Sequence, residues 1–282
     1  MGEFYLSYIL DFFGGIMTLP SPSVHAFAVV TGASQGIGRA MARDLARMGH
    51  NVLLVARRED VLRELADQLM TDHSVVAEVY PCDLADADDL RGLVAELQGR
   101  EVNIIVNSAG IASFGPFMDQ DWQYESKQFD LNARAVFELT HAVLPGMVAR
   151  KSGAICNVGS AAGNVPIPNN ATYVLTKAGV NAFTEALHYE LRKSGVACTL
   201  LAPGPVREAV IPDAEKSIVD RVVPDFLWTT YESCSRETLE AMASNRRRVV
   251  PGPLSKIMNA VSLVAPTAVL APVMGWFYAK MA

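Results

Sequence analysis

The sequence predicts an α/β fold in which helices cover a parallel sheet. Three observations predict it. Short apolar runs of strand length alternate with longer helical patterns from His25 to Val250. The first run ends in a glycine-rich turn that opens at once into a helix. Later runs end in small residues, at the strand ends where open parallel sheets take their ligands. At 282 residues the chain can hold one large domain or two small ones. With 50% hydrophobic and 19% charged residues, it has ample material for a core.

Composition excludes some function classes. The net charge of -6 gives the chain as a whole no basic footprint for nucleic acid. Cys82, Cys156, Cys198 and Cys234 form no C-x-x-C pair, and three of them sit in or beside apolar runs. They read as buried free thiols in a reducing compartment, so the cytoplasm is the expected location. No Cys or His cluster has metal-ligand spacing. Residues 1–24 form an apolar N-terminal extension. Its first twenty, MGEFYLSYILDFFGGIMTLP, carry Glu3 and Asp11 but no Lys or Arg. That pattern lacks the positive start of a secretory signal, and Asp11 and Gly14-Gly15 break it as a membrane span. It reads as an appendage, packed or disordered, with Met17 an alternative start and a membrane-surface anchor the competing reading.

The elements follow in order. His25–Val30 is an apolar strand, and Thr31-Gly32-Ala33-Ser34-Gln35-Gly36-Ile37-Gly38 leads into a helical pattern over Arg39–Met48. Glycines let the backbone approach a pyrophosphate, and the helix start offers free N–H groups. Candidate contacts are Gly32, Ser34, Gln35, Gly36, Ile37 and Gly38, although an ordinary tight loop has the same glycines. Asn51–Ala56 is the second strand. Arg57 and Arg58 follow where an acid would take a ribose 2′-hydroxyl. Guanidinium suits a 2′-phosphate, so NADP(H) is expected over NAD; solvated helix-start charges are the alternative. A helix over Val61–Met70 and a strand over Val75–Tyr80 lead to Asp83-Leu84. Asp83 either meets an adenine amino group or caps the helix near Ala87. Val102–Val106 is the fourth strand, and Asn107, Ala109 and Gly110 at its end let a flat ring lie close.

The second half carries the chemistry. Trp122–Arg150 reads as a long helix interrupted near Pro145, with Asn132 in an unfavourable helical position. Gly153–Val158 is the fifth strand and ends at Ser160, which is placed to donate to a substrate oxygen. A helix over Asn170–Lys193 carries Tyr173 and Lys177 on one face. An ammonium beside a phenol lowers its pKa and makes Tyr173 a candidate proton donor. The competing reading is a surface pair sharing a helix face. Ala197–Ala202 is the sixth strand, ending in Pro203-Gly204-Pro205-Val206. A helix over Glu237–Arg248 leads to a last strand at Val249-Val250.

The ordered set Thr31-Gly32-x3-Gly36-x-Gly38, Asn107-x-Ala109-Gly110, Asn132, Ser160, Tyr173-x3-Lys177 and Pro203-Gly204 resembles the short-chain dehydrogenase/reductase family over about residues 25 to 250. The resemblance implies a doubly wound, Rossmann-like seven-stranded parallel sheet in a single domain, with NAD(P)-dependent carbonyl–alcohol chemistry. Within the family, Leu201–Val206, Pro224–Trp228 and Val249–Gly252 resemble the actinobacterial ketoacyl reductases, including the mycolate type. The resemblance makes Ser160, Tyr173, Lys177 and Asn132 catalytic. Tyr173 gives the proton, Ser160 bonds the same oxygen and Lys177 bonds the nicotinamide ribose. Asn132 keeps a water for proton return. Tyr173, Lys177, Pro203, Gly204 and Val206 are further cofactor contacts. It also implies a homo-oligomer, dimer or tetramer, through the helices of Asn132 and Tyr173. Two residues depart from the pattern: Ser108 replaces an Asn, and Glu208 replaces a Thr that would hold the carboxamide.

The remainder bears on substrate choice. Residues 207–235 lack a strong period and are expected to cover the site as a lid, completing a domain over 25–252. Residues 253–282 are apolar, divided at Pro266 and Pro272. They read as short helices lining an apolar groove or a subunit contact, or as a peripheral membrane contact helped by Arg246-Arg247-Arg248. Either suits a small lipid-like carbonyl substrate such as a 3-oxoacyl compound. The other functional readings are an alcohol or hydroxysteroid dehydrogenase working oxidatively, and a nucleotide-binding module without catalysis.

Overall fold

A computed structural model of the chain describes residues 19–208 and 228–278. The extension through residue 18, the central part of the expected lid at 209–227 and the last four residues lie outside the described residues. The strands are β1 (Ala26–Thr31), β2 (Asn51–Ala56), β3 (Ala77–Pro81), β4 (Glu101–Asn107), β5 (Gly153–Val158) and β6 (Val196–Leu201). Two-residue strands follow: β7 (Val206–Arg207), β8 (Thr229–Thr230) and β9 (Arg248–Val249). The main sheet has seven strands in the order β3-β2-β1-β4-β5-β6-β9, all pairs parallel. The chain builds outward from β1 to β3, then returns to lay β4 beside β1. That reversal opens a crevice at the carboxyl ends of β1 and β4, the position where such sheets bind ligands.

Helices cover both faces because the strands are apolar on both. α1 (Gly36–Arg47) and α2 (Glu59–His73) lie on one face, with Met41, Leu45, Leu62, Leu65 and Leu69 in its core. α3 (Ala87–Gln98) covers the other face with Leu90, Leu93 and Leu97. Next come α4 (Trp122–Phe129), a π-helical turn at Asp130–Arg134, α5 (Ala135–Arg150) and α6 (Ala171–Glu190). Leu139, Val143, Met147 and Leu187 of α5 and α6 complete the second core. α7 (Tyr231–Ala243) returns to the first face with Cys234, Leu239 and Met242. α8 (Pro253–Val264) and α9 (Thr267–Tyr278) end the described chain.

Several expected boundaries move. α1 starts at Gly36, inside the glycine turn, rather than at Arg39. The long second-half helix is not interrupted at Pro145; α5 runs through it, and the irregularity is the π-turn around Asn132. The proline removes the bond to the carbonyl of His141, and both residues are exposed, so that carbonyl is open to solvent. Pro272 likewise sits inside α9 rather than dividing it, with Ala268 and Pro272 exposed. α7 begins at Tyr231 because Thr230 caps it, its side chain accepting from the Ser233 N–H. Residues 231–235 of the expected lid therefore belong to a helix. The two ends of the lid are tied together where β7 pairs with β8, Val206 opposite Thr229 and Arg207 opposite Thr230.

Candidate active site

The crevice begins where two strand ends are pulled close. Thr31 stands opposite Asn107 in the β1–β4 register, and its Oγ1 accepts from the Ser108 and Ala109 N–H groups at 3.0 and 3.2 Å. Gly32 has φ +67°, and a Cβ there would lie 3.0 Å from the Ala109 backbone, so a side chain would part the two loops. A Cβ on Gly38 would meet the Gly32 carbonyl at 2.5 Å, which is why α1 can start against the turn. The N-cap residue of α1, Gln35, makes no side-chain cap. Its side-chain oxygen instead accepts from Arg58 Nη2 at 2.7 Å, and Arg58 also donates to Ser34 Oγ at 3.0 Å. A guanidinium thus lies over the turn, and the helix start keeps N–H groups for an anion. Arg57 is exposed.

Two expected contacts resolve differently. The Asn107 side chain is buried away from the crevice and donates to Thr140 Oγ1 at 3.2 Å and Asn157 Oδ1 at 2.9 Å. Its contribution toward a ligand is therefore confined to its backbone. Asp86, not Asp83, caps α3 by accepting from the Asp88 and Asp89 N–H groups. That removes the capping alternative for Asp83, whose carboxylate accepts from the Ala85 N–H at 3.2 Å, beside buried Leu84.

Ser160, Tyr173, Lys177 and Asn132 converge at the ends of β4 and β5. Ser160 is buried and starts a 3₁₀ turn over Ala161–Asn164. The Pro203 carbonyl accepts from the Ala161 N–H at 3.0 Å, tying the end of β6 to this turn. Tyr173 is half-buried and hydrogen-bonds Ser160 through its phenol. Lys177 is 5% exposed, and its Nζ donates to the Val158 carbonyl at 2.7 Å. The same ammonium lies 5.8 Å from the centre of the Tyr173 ring. A Cβ on Gly110 would be 3.2 Å from Asn132 Oδ1 and 3.5 Å from Lys177 Nζ, so both groups border that glycine. Asn132 is fully buried; its amide accepts from the Ile111 N–H at 2.9 Å and donates to the Ile111 carbonyl at 2.8 Å. It also donates to Thr176 Oγ1 at 3.3 Å. The Asn132 amide thus clamps the loop after β4 to α6, and the π-turn is the local irregularity that lets it do so.

The electrostatics differ from the sequence expectation. Burial raises the Tyr173 phenol above its ordinary value, and the hydrogen bond with Ser160 brings it partly back. Burial lowers Lys177 from 10.5 to about 8. Desolvation of both groups outweighs the attraction that was expected to pull the phenol down. Tyr173 therefore carries its proton at neutral pH, as a donor must.

Sequence reasoning missed Asn181, which holds Ser160. Its Nδ2 donates to the Ser160 carbonyl at 2.9 Å, and its Oδ1 accepts from the Ser160 N–H at 3.3 Å. The available signal was spacing: Asn181 lies one turn beyond Lys177, a polar residue on an otherwise inward helix face. Thr31 stood in the motif set, but its role in joining the ends of β1 and β4 through Oγ1 was not read, because a Thr at a strand end reads as ordinary strand.

The sequence profile of the short chain dehydrogenase family matches residues 26–217. The chain belongs to that family. A very-long-chain 3-oxoacyl-CoA reductase of Laccaria bicolor is 41% identical over 175 residues, covering 61% of this chain and 52% of that protein. The match thus spans about half the length of this relative. A short-chain dehydrogenase from Sphingobium yanoikuyae in complex with NADPH superposes with TM-score 0.72 at 29% identity. That alignment covers 80% of this chain and 87% of the other. A 7beta-hydroxysteroid dehydrogenase reaches TM-score 0.81 at 23% identity over 89% and 97% of the two chains, a likeness of fold.

A pH prediction follows from Lys177. Its folded pKa lies below its ordinary 10.5, so between about pH 8 and 10.5 the unfolded chain binds more protons. Stability lost to burying this ammonium is fully lost below that window and regained as pH rises through it, by about 3 kcal/mol at most. Urea unfolding of the wild type and Lys177→Met at both ends of the window is expected to show the wild type gaining on the variant. Parallel pH dependences would contradict it.

Proposed function

We propose that the chain is an NADP(H)-dependent reductase that converts the carbonyl of a long-chain, lipid-like acyl compound to an alcohol, with a 3-oxoacyl thioester as the substrate class. The observation that carries this reading is the meeting of Ser160, Tyr173 and Lys177 beside a glycine turn overlaid by Arg58. The residues present fit a dinucleotide phosphate. Gly32 and Gly36 hold positive φ, the α1 start lacks a side-chain cap, and no acid ends β2. Arg58, Ser34, Gln35 and the α1 N–H groups would hold the phosphates, with Lys177 and Tyr173 near the nicotinamide end. The Sphingobium relative is named as an NADPH complex, which supports the same cofactor here.

When bound, the nicotinamide cofactor supplies the hydride that reduces the carbonyl carbon. Negative charge then grows on the carbonyl oxygen. The Tyr173 phenol gives that oxygen its proton, and the Ser160 hydroxyl donates a hydrogen bond to it. Lys177, with its lowered pKa, is the group next to Tyr173 from which the proton is replaced. Asn132 keeps the loop after β4 closed against α6, so that the oxygen faces these donors and not bulk water.

Two observations support a lipid-like substrate. The Laccaria relative is named for very-long-chain 3-oxoacyl-CoA reduction. In addition, α8 and α9 present Ile257, Val261, Val264, Val269, Val273 and Trp276 to the outside, and α9 contains no charged residue. Among the described residues no helix is long and apolar enough to cross a membrane. We read this face as a peripheral contact with a lipid surface. Exposed Phe137 and Leu175 on α5 and α6 support a homo-oligomer through those helices. Residues 25–252 act as the catalytic unit in this reading.

The test is NADPH oxidation with 3-oxoacyl thioesters of increasing chain length. Turnover is expected, with kcat/KM rising along the series by about tenfold for every two methylenes, the size of their burial energy. No turnover with any carbonyl, or a preference for NADH, would overturn the reading. Arg58→Ala is expected to raise the KM for NADPH about tenfold or more, the scale of one lost charge-assisted bond, while leaving NADH kinetics nearly unchanged. Equal loss with both cofactors would count against Arg58 as the phosphate ligand.

A further inference from the structure

The turn that carries Ser160 is gripped from two sides. On one side is Asn181, already described. The fit there is close: a Cβ on Gly163 would lie 2.7 Å from both Asn181 Nδ2 and the Lys177 carbonyl carbon. A Cβ on Gly159 would be 2.8 Å from Leu200 Cδ1 and would collide with the Asn181 amide. Glycines on both sides of Ser160 therefore let the turn rest directly on α6.

On the other side is Asn164, the last residue of the turn. Its Nδ2 donates to Asn259 Oδ1 of α8 at 3.1 Å. Its Oδ1 accepts from Asn181 Nδ2 at 3.3 Å and from Arg248 Nη2 at 3.3 Å. Arg248 is itself held by Glu185 of α6 at 3.0 Å. A continuous polar path thus runs from Asn259 through Asn164 and Asn181 to both backbone groups of Ser160. The C-terminal helices also touch this region by packing. A Cβ on Gly275 of α9 would be 3.0 Å from Pro168 Cγ, in the loop that leads to Tyr173. A Cβ on Gly204 would collide with the buried Ser255 hydroxyl of α8.

We propose that Asn164 and Asn259 are positioning residues that make the setting of Ser160 depend on the docking of α8 against the catalytic turn. The seating of the C-terminal helices then decides whether the Ser160 hydroxyl meets the carbonyl oxygen. An Asn at 259 is needed for its acceptor oxygen, because Asn164 donates to it. The kinetic part of this inference rests on the reading of Ser160 as a donor to substrate. The structural part, the tie itself, does not.

The experiment compares Asn259→Leu, which deletes the acceptor at similar size, with Asn259→Asp, which keeps it. The full chain is followed by amide hydrogen exchange without substrate, and by NADPH turnover with a 3-oxoacyl thioester. Asn259→Leu is expected to speed exchange of the Ser160 and Gly163 amides about tenfold, while amides of β1 and β4 stay unchanged. Its kcat is expected to fall about tenfold with the KM for NADPH within about twofold, and Asn259→Asp to restore most of both. The proposal is overturned if the two variants behave alike, or if the KM for NADPH moves as far as kcat. Should the wild type reduce no carbonyl, the proposed function fails while the exchange comparison still decides the tie.

Discussion

The structure depends on holding a lysine ammonium inside the protein. Burying a charge is costly unless it is hydrogen-bonded, and Lys177 meets that requirement with the carbonyl at the end of β5, 2.7 Å away. This bond fixes the rotation of α6 against the sheet. Once α6 is set, Tyr173 stands one turn before the lysine and faces Ser160, and Asn181 stands one turn after it and grips the serine backbone. The same placement brings Thr176 to Asn132, which secures the loop after β4. One buried cation thereby aligns residues from three parts of the chain. The cost shows in its lowered pKa, and that lowered pKa suits a group returning protons near neutrality.

The second requirement is close approach of backbone. At the crevice, Gly32 passes against Ala109, Gly38 against Gly32, and Gly110 beside Asn132 and Lys177. These contacts remove side-chain bulk where a flat ring and a pyrophosphate would need room. Small residues at strand ends and a buried polar cluster are thus parts of one arrangement. The first makes space at the sheet edge, and the second populates it with donors.

Most of the sheet was legible in the sequence because its strands are apolar on both faces, giving continuous runs such as Asn51–Ala56 and Gly153–Val158, found with the same bounds. The seventh strand, β9, is two residues long and was placed one residue away. Helix ends were less legible because capping by Thr230 and the exposure of Pro145 and Pro272 depend on surroundings. The local sign of the π-turn was Asn132 in an unfavourable helical position, but its cause lies at Ile111, twenty-one residues earlier. Spacing put Tyr173 and Lys177 on one helix face; that Ser160 joins them was what the family resemblance implied. The direction of the Asn107 side chain was not, since a polar residue at a strand end can face either layer. Asn164 and Asn181 stayed hidden because their partners belong to a turn whose shape no periodicity reports. The lowered phenol pKa was misjudged because pairing was counted and burial was not.

The most direct test of this account removes a single oxygen. In Tyr173→Phe the fold, Lys177 and the glycine turn are expected to remain, and only the proposed proton donor is lost. Turnover is expected to fall at least about 100-fold, while the Kd for NADPH, read by titration, stays within about twofold. Retention of most of the turnover would contradict the claim that Tyr173 delivers the proton.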